Sequence, residues 1–186
     1  MIFKKASKKE TLPEYSPSDD SFLLVKEVKE RAEGKSVLDM GSGFGILAET
    51  AIKARCKNIL AADIDYAAVA YCQAKGIPSI QSDLFSNIHG KFDLIIFNPP
   101  YLPEDPLEDE STRKVVCGGK HGYEILVKFL KQAKQYLNKE GEILFVFSSL
   151  TNKKKIDETL KELNYKFTCL EEESFFYEVL YVYSCR

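Results

Sequence analysis

The sequence predicts an α/β fold: a seven-stranded, mostly parallel sheet ending in an antiparallel hairpin. Three observations carry that expectation. Apolar runs of strand length alternate with helix-length segments along the chain. A glycine-rich loop joins the first strand-like run to the next helix, where such sheets open a ligand crevice. The last two strand-like runs are separated by a turn-length stretch, too short for the crossover that a parallel return requires.

Each element has its own signal. Ser18 is placed to cap a helix running to about Ala32, with Phe22, Leu23, Val25 and Val28 apolar and Gly34 closing it. Ser36 to Met40 reads as a strand, Gly45 to Arg55 as a helix and Asn58 to Asp63 as the second strand. A helix from Tyr66 to Lys75 is stopped by Gly76, and Ser79 to Asp83 is a third strand. Phe92 to Phe97 has the unbroken apolar character of a strand buried on both faces. Then come a helix over Gly122 to Asn138, a strand over Glu142 to Phe147 and a helix over Asn152 to Leu163. Lys166 to Glu171 and Phe176 to Ser184 form the hairpin, turning around Glu173 and Ser174, and its apolar residues, Phe176 among them, are expected in the core. The stretch from Leu102 to Lys120 reads as one long loop, of a length that is usually functional when it is ordered.

Composition sets the class. A chain of 186 residues has the length of one domain, spanning 1–186 with a short N-terminal arm. It buries roughly 70% of the surface of its unfolded form, enough to fold without staples. Apolar residues at 45% and charged residues at 29% match ordinary globular proteins. A net charge of −2 provides no general field for phosphate backbones, so nucleic acid is not the expected partner. Lys4, Lys5, Lys8 and Lys9 read as a solvated charge run. Met1-Ile2-Phe3 leads into no apolar signal region and no run is long enough for a membrane span, so a cytoplasmic location is expected. Cys56, Cys72, Cys117, Cys169 and Cys185 are odd in number and widely spaced, and read as reduced apolar residues with no metal site.

The chemistry-bearing residues fall at strand ends. Asp39-Met40-Gly41-Ser42-Gly43-Phe44-Gly45 places glycines where a backbone can approach a ligand and a helix N-terminus can meet an anion. The third glycine comes one residue earlier than in the dinucleotide fingerprint, which disfavours a nicotinamide cofactor. Asp63, about 20 residues on, suits a ribose diol, with Asp65 the better helix cap. Asp83 could accept from an exocyclic amine, with Leu84 against the ring. Asn98-Pro99-Pro100-Tyr101 is the sharpest signal. Neither proline has an N–H, so the turn offers acceptors: the Asn98 side-chain oxygen and the Pro99 carbonyl can take both hydrogens of a planar NH₂ group. Tyr101 can stack on the flat substrate.

With these motifs the chain resembles the class I S-adenosylmethionine-dependent methyltransferases that carry N-P-P-Y, whose sheet is Rossmann-like. More narrowly it is similar to the HemK-type enzymes that methylate the glutamine amide of peptide-chain release factors. Tyr15-Ser16-Pro17-Ser18-Asp19-Asp20-Ser21-Phe22-Leu23-Leu24 looks like that family's opening, and Gly118-Gly119-Lys120-His121-Gly122-Tyr123-Glu124 like its G-G-x-x-G-x-E segment. About 35 residues precede the first strand, so the helical domain of the bacterial enzymes is not expected and the short archaeal and eukaryotic branch is the better match. The resemblance implies that Gly41 and Gly43 line the methionine end of the cofactor, Asp63 the ribose, Asp83 and Leu84 the adenine, and Asp20 and Asp39 its amino end. Asp19 and Asp39 stand where glutamate is common, which keeps the carboxylate and shortens its reach. A small zinc-binding activator subunit is also implied.

Two other functions fit some of these residues. An adenine-N6 methyltransferase acting on DNA or RNA would use the same acceptor turn on a flipped base. Against it, five of the seven residues from Glu104 to Glu110 are acidic, and this stretch is expected to border the substrate. A nucleotide-binding module without catalysis would leave the acceptor turn unused.

Overall fold

The computed structural model describes residues 19–186; the Ser18 cap, the lysine arm and Tyr15 to Ser18 of the opening lie outside them. The elements are α1 (Asp19–Arg31), β1 (Ser36–Met40), α2 (Ile46–Lys53), β2 (Asn58–Asp63), α3 (Tyr66–Ala74), β3 (Ser79–Gln81) and β4 (Phe92–Phe97). They continue with α4 (Glu110–Val116), α5 (Glu124–Ala133), β5 (Leu137–Ser148), α6 (Lys153–Glu162), β6 (Phe167–Ser174) and β7 (Val179–Cys185). The seven strands form one sheet in the order β3-β2-β1-β4-β5-β7-β6. β1 to β5 pair in parallel, and β7 enters antiparallel between β5 and β6. Strand order reverses between β1 and β4, which opens the crevice at their carboxyl ends.

Side-chain alternation divides the core between the two faces of the sheet. On one, Val37, Leu94, Ile96, Leu144 and Val146 meet Leu24 and Val28 of α1 and Leu47 and Ala51 of α2. On the other, Leu38, Ile95, Phe97, Phe145 and Phe147 belong to a cluster with Leu126, Phe129 and Leu130 of α5 and Ile156 and Leu160 of α6. β4 is therefore apolar at almost every position because both its faces are covered.

The structure departs from the sequence expectations at four places. β3 ends at Gln81, so Asp83 lies in the turn after it. α5 stops at Ala133, a 3₁₀ turn spans Lys134–Tyr136, and β5 begins already at Leu137. Pairing with β4 slips between Phe92 and Leu94, and Gly141 sits where a Cβ would lie 2.8 Å from the Phe92 carbonyl. The long loop contains α4, whose first turn is capped by Asp109 accepting from the Thr112 amide at 3.0 Å. Finally, β6 runs on to Ser174, so Glu173 and Ser174 pair with Leu180 and Val179 instead of turning; β7 starts at Val179, and Phe176 lies in the turn at 89% exposure instead of in the core, because the Phe175 amide closes it onto the Glu178 carbonyl at 2.8 Å.

Candidate active site

The carboxyl ends of β1, β2 and β4 and the start of α1 converge on one region. Asp39 is wholly buried; its Oδ2 accepts from the Ala48 amide in the first turn of α2 at 2.9 Å, and its Oδ1 has no partner among the described residues. Burial pushes this carboxyl up to about 7, opposed by the Ala48 hydrogen bond and reinforced by the charge of Asp63.

The glycine loop is tied to β2. Gly41 and Ser42 donate to the Ala62 carbonyl at 2.7 and 3.1 Å, and Gly43 donates to Asp63 Oδ2 at 2.8 Å. Asp63 Oδ1 accepts from the Asp65 amide, while Asp65 caps α3 through the Ala67 amide, each at 2.9 Å. Gly41 takes φ +64° with a Cβ position 3.2 Å from the Phe97 ring, so the loop both turns left-handed and presses on β4. Gly43 has φ +49° and open space where its Cβ would be, while its own N–H is held by Asp63. Cys72 supports the loop from α3: its thiol donates to the Gly43 carbonyl at 3.5 Å, and a Cβ on Gly45 would lie 3.0 Å from its sulfur.

The acceptor turn follows β4 directly. Asn98 Nδ2 donates to Ser21 Oγ at 3.2 Å, which leaves Oδ1, buried and without a partner among the described residues, as a spare acceptor. The Tyr101 hydroxyl donates to Asp20 Oδ2 at 3.1 Å, and its carbonyl accepts from Thr151 Oγ1 at 2.9 Å. Two consecutive residues of α1 thus hold both ends of Asn98-Pro99-Pro100-Tyr101. The glycine segment packs from the other side: a Cβ on Gly118 would lie 2.7 Å from the Pro100 carbonyl, and one on Gly122 would collide with the Tyr101 carbonyl. The Leu102 amide donates to the Val116 carbonyl at 2.8 Å and the Leu102 carbonyl accepts from the Gly118 amide at 2.9 Å, closing the base of the excursion that carries α4.

Asp83 follows Ser82, whose amide donates to the Asp63 carbonyl at 2.8 Å. The Asp83 carboxylate holds Lys128 of α5 at 3.0 Å and is about half exposed; Leu84, at φ +48°, packs partly buried against the core. The acidic stretch is largely engaged locally: Glu104 pairs with Arg113 and Glu110 with Lys114, and Asp109 caps α4. An open cleft of about 330 Å³ beside α4 is lined by none of the strand-end residues above. Thr151 and Lys128 carry no signal in the sequence, Cys72 reads there only as an apolar residue and Ser21 only as part of the opening; each acts through a contact distant in the chain.

A mostly parallel sheet whose strand order reverses between β1 and β4, with acids at the ends of β1 and β2 and an acceptor turn after β4, is the arrangement of a Rossmann-like α/β methyltransferase. The chain belongs to the methyltransferase small domain family, whose model matches residues 18–180. It is 39% identical over 160 residues, 82% of this chain and 81% of the other, to a Methanocaldococcus jannaschii protein provisionally assigned as an N5-glutamine methyltransferase. It is 33% identical over 135 residues, 68% of this chain, to ribosomal RNA small subunit methyltransferase C of Haemophilus influenzae, of which it spans 36%. Among solved structures, the E. cuniculi Mtq2-Trm112 complex, responsible for methylating the translation termination factor eRF1, matches with a TM-score of 0.76 at 24% identity, covering 92% of this chain and 97% of that one. Among the described residues, no helix is long and apolar enough to cross a membrane.

Proposed function

We propose that this protein is an S-adenosylmethionine-dependent N-methyltransferase acting on the side-chain amide of a glutamine in a peptide-chain release factor. The observation that carries the reading is Asn98 Oδ1, buried directly after β4 and without a partner among the described residues. A buried acceptor without a donor is unfavourable by roughly 1–3 kcal/mol, and a substrate NH₂ group satisfies it.

The site residues fit the cofactor. Asp39 keeps an oxygen without a partner among the described residues for its amino group, Asp20 holds Tyr101 of the acceptor turn, Gly41 and Gly43 form the loop after β1, and Asp63 suits the ribose hydroxyls. Asp83 and Leu84 are assigned the adenine, with Lys128 sharing the Asp83 carboxylate. S-adenosylmethionine supplies an electrophilic methyl group when bound.

The chain's own residues prepare the nucleophile. Asn98 Oδ1 and the Pro99 carbonyl each accept one amide hydrogen, which draws the nitrogen lone pair out of conjugation and fixes its direction. Ser21 holds the Asn98 side chain and Asp20 holds Tyr101, so the turn is set before substrate arrives. No general base of shifted pKa is required, because the nitrogen sheds its proton after it has gained the methyl group. A small zinc-binding activator subunit is the proposed partner, supported by the branch resemblance and the Mtq2-Trm112 likeness, and a cytoplasmic location is proposed with it.

The second reading, methylation of an adenine N6 in DNA or RNA, draws from the likeness to ribosomal RNA methyltransferase C only an RNA acceptor, not the adenine itself. The surplus of carboxylates after the acceptor turn speaks against it. The test is incubation with labelled S-adenosylmethionine and purified release factor, with and without activator, followed by mass spectrometry of the methylated residue. Methyl on a glutamine amide is expected, and Asn98→Ala should lower turnover by about 10²–10³-fold, as loss of one preorganised hydrogen-bonding group does. Methyl transfer to RNA alone, or an unchanged rate in Asn98→Ala, overturns the assignment.

A further inference from the structure

We infer that the aromatic turn between β6 and β7 is the docking surface for the protein that carries the methyl acceptor. It takes an apolar side chain of that protein flanked by lysine or arginine. The inference rests on the release-factor reading above and extends it from the reacting amide to the surface that selects its owner.

Phe176 and Tyr177 are 89% and 85% exposed and lie edge to face with centroids 4.6 Å apart. The next apolar step toward the acceptor turn is Leu150, 48% exposed. Two hydrogen bonds bracket it: Val179, the first residue of β7, donates to Ser149 Oγ at 3.0 Å, and Thr151 Oγ1 donates to the Tyr101 carbonyl at 2.9 Å. The aromatic tip is therefore joined to Asn98-Pro99-Pro100-Tyr101 through one short 3₁₀ turn. Pairing of Ser148 with Leu180 places the tip at the carboxyl ends of the parallel strands, the end that holds Asn98. On α1, which meets β6 through Lys26 and Glu171, Phe22 is 55% exposed beside Ser21, the residue that receives Asn98 Nδ2.

Charge identifies the occupant. From Phe167 to Cys185 the chain carries four carboxylates and no lysine or arginine. Lys26 meets Glu171, but Glu172 and Glu173 are exposed and lack a cation at ion-pair distance among the described residues. Carboxylates around an aromatic anchor repel a phosphate backbone and attract cationic side chains, so the surface suits a basic, apolar patch of a protein. Aromatic anchors of this kind carry most of the binding energy of interfaces that contain them.

The test uses the full chain with its activator and full-length release factor. In Phe176→Ser/Tyr177→Ser, calorimetry should show release-factor affinity weakened by about tenfold or more, the effect of removing a hot-spot pair. Glu172→Gln/Glu173→Gln should weaken binding at low salt and lose the difference as salt rises. S-adenosylmethionine affinity, read on the same samples, should stay at the wild-type value. Unchanged release-factor affinity overturns the docking surface, as does loss of cofactor binding in parallel. Loss of activator binding or of self-association, with release-factor affinity intact, assigns the turn to another occupant and equally overturns it. Failure of the wild-type protein to bind or methylate any release factor is a different result, and removes the underlying functional reading along with the docking surface.

Discussion

Replacing Asp39 by asparagine should change how stability depends on pH more than it changes stability itself. The carboxyl is wholly buried and its pKa is lifted from 3.8 to about 7. A raised carboxyl binds its proton more tightly in the folded state than in the unfolded one. Its contribution is therefore most favourable at and below pH 4 and is progressively lost as pH climbs through 7. A lift of that size corresponds to roughly 4 kcal/mol lost across that window. A side-chain amide does not titrate, so the Asp39→Asn variant lacks this slope. The new amide oxygen still accepts from Ala48, but an NH₂ group takes the place where Oδ1 had no partner, an unfavourable change of about 1–3 kcal/mol at any pH. Wild type should be the more stable near pH 4, and Asp39→Asn the more stable, or equal, near pH 8. Urea unfolding of both proteins at several pH values, with the denaturant slope compared as a check on the unfolded state, measures the difference. Parallel stability curves would refute the buried-carboxyl reasoning. Cofactor affinity of the variant should fall even where its stability gains, the trade expected of a strained site.

Three further outcomes follow from contacts around the acceptor turn. Ser21→Ala should reduce turnover while leaving cofactor affinity unchanged, and Ser21→Thr, which keeps the hydroxyl, should restore much of it; steady-state kinetics with release factor separates the two. Gly118→Ala drives a Cβ into the Gly122 carbonyl and to 2.7 Å from that of Pro100, so backbone must move. A loss of about 1–3 kcal/mol in urea unfolding is expected, with turnover down by about 10²-fold for a displacement near 1 Å. Asp109→Ala removes the cap of α4 and should weaken that helix by about 1 kcal/mol, seen as faster proteolytic nicking of the 103–117 excursion with little change in the global unfolding midpoint.

What the sequence disclosed is what chain neighbours encode. Asp39 to Gly45, Asp63 and Asn98 to Tyr101 stand directly after apolar strand runs, so their placement at the sheet's carboxyl end follows from the alternation of elements alone. Asp65 was legible as a cap for the same local reason. Contacts that depend on tertiary folding were not legible. Ser21 meets Asn98 across 77 positions, and Thr151 meets the Tyr101 carbonyl across 50. Cys72 reads as a small apolar residue until α3 brings it beneath the glycine loop. α4 escaped because its seven residues carry no apolar stripe and its stability comes from Asp109 and the Glu110–Lys114 pair. Phe176 was misplaced because apolar identity does not distinguish a strand from its turn when the turn itself is aromatic.

The excursion between Leu102 and Gly118 leaves and re-enters the body of the protein at adjacent points, cinched by two main-chain bonds. Whatever lies beyond that clasp can lengthen, shorten or be exchanged with only a slow, logarithmic entropic effect on the rest. The reacting turn is fastened separately, to α1 and to the residues following β5. Selection can therefore recast this appendage for a new client while the methyl-transfer apparatus remains untouched, much as a tool is refitted at the collet without rebuilding the motor.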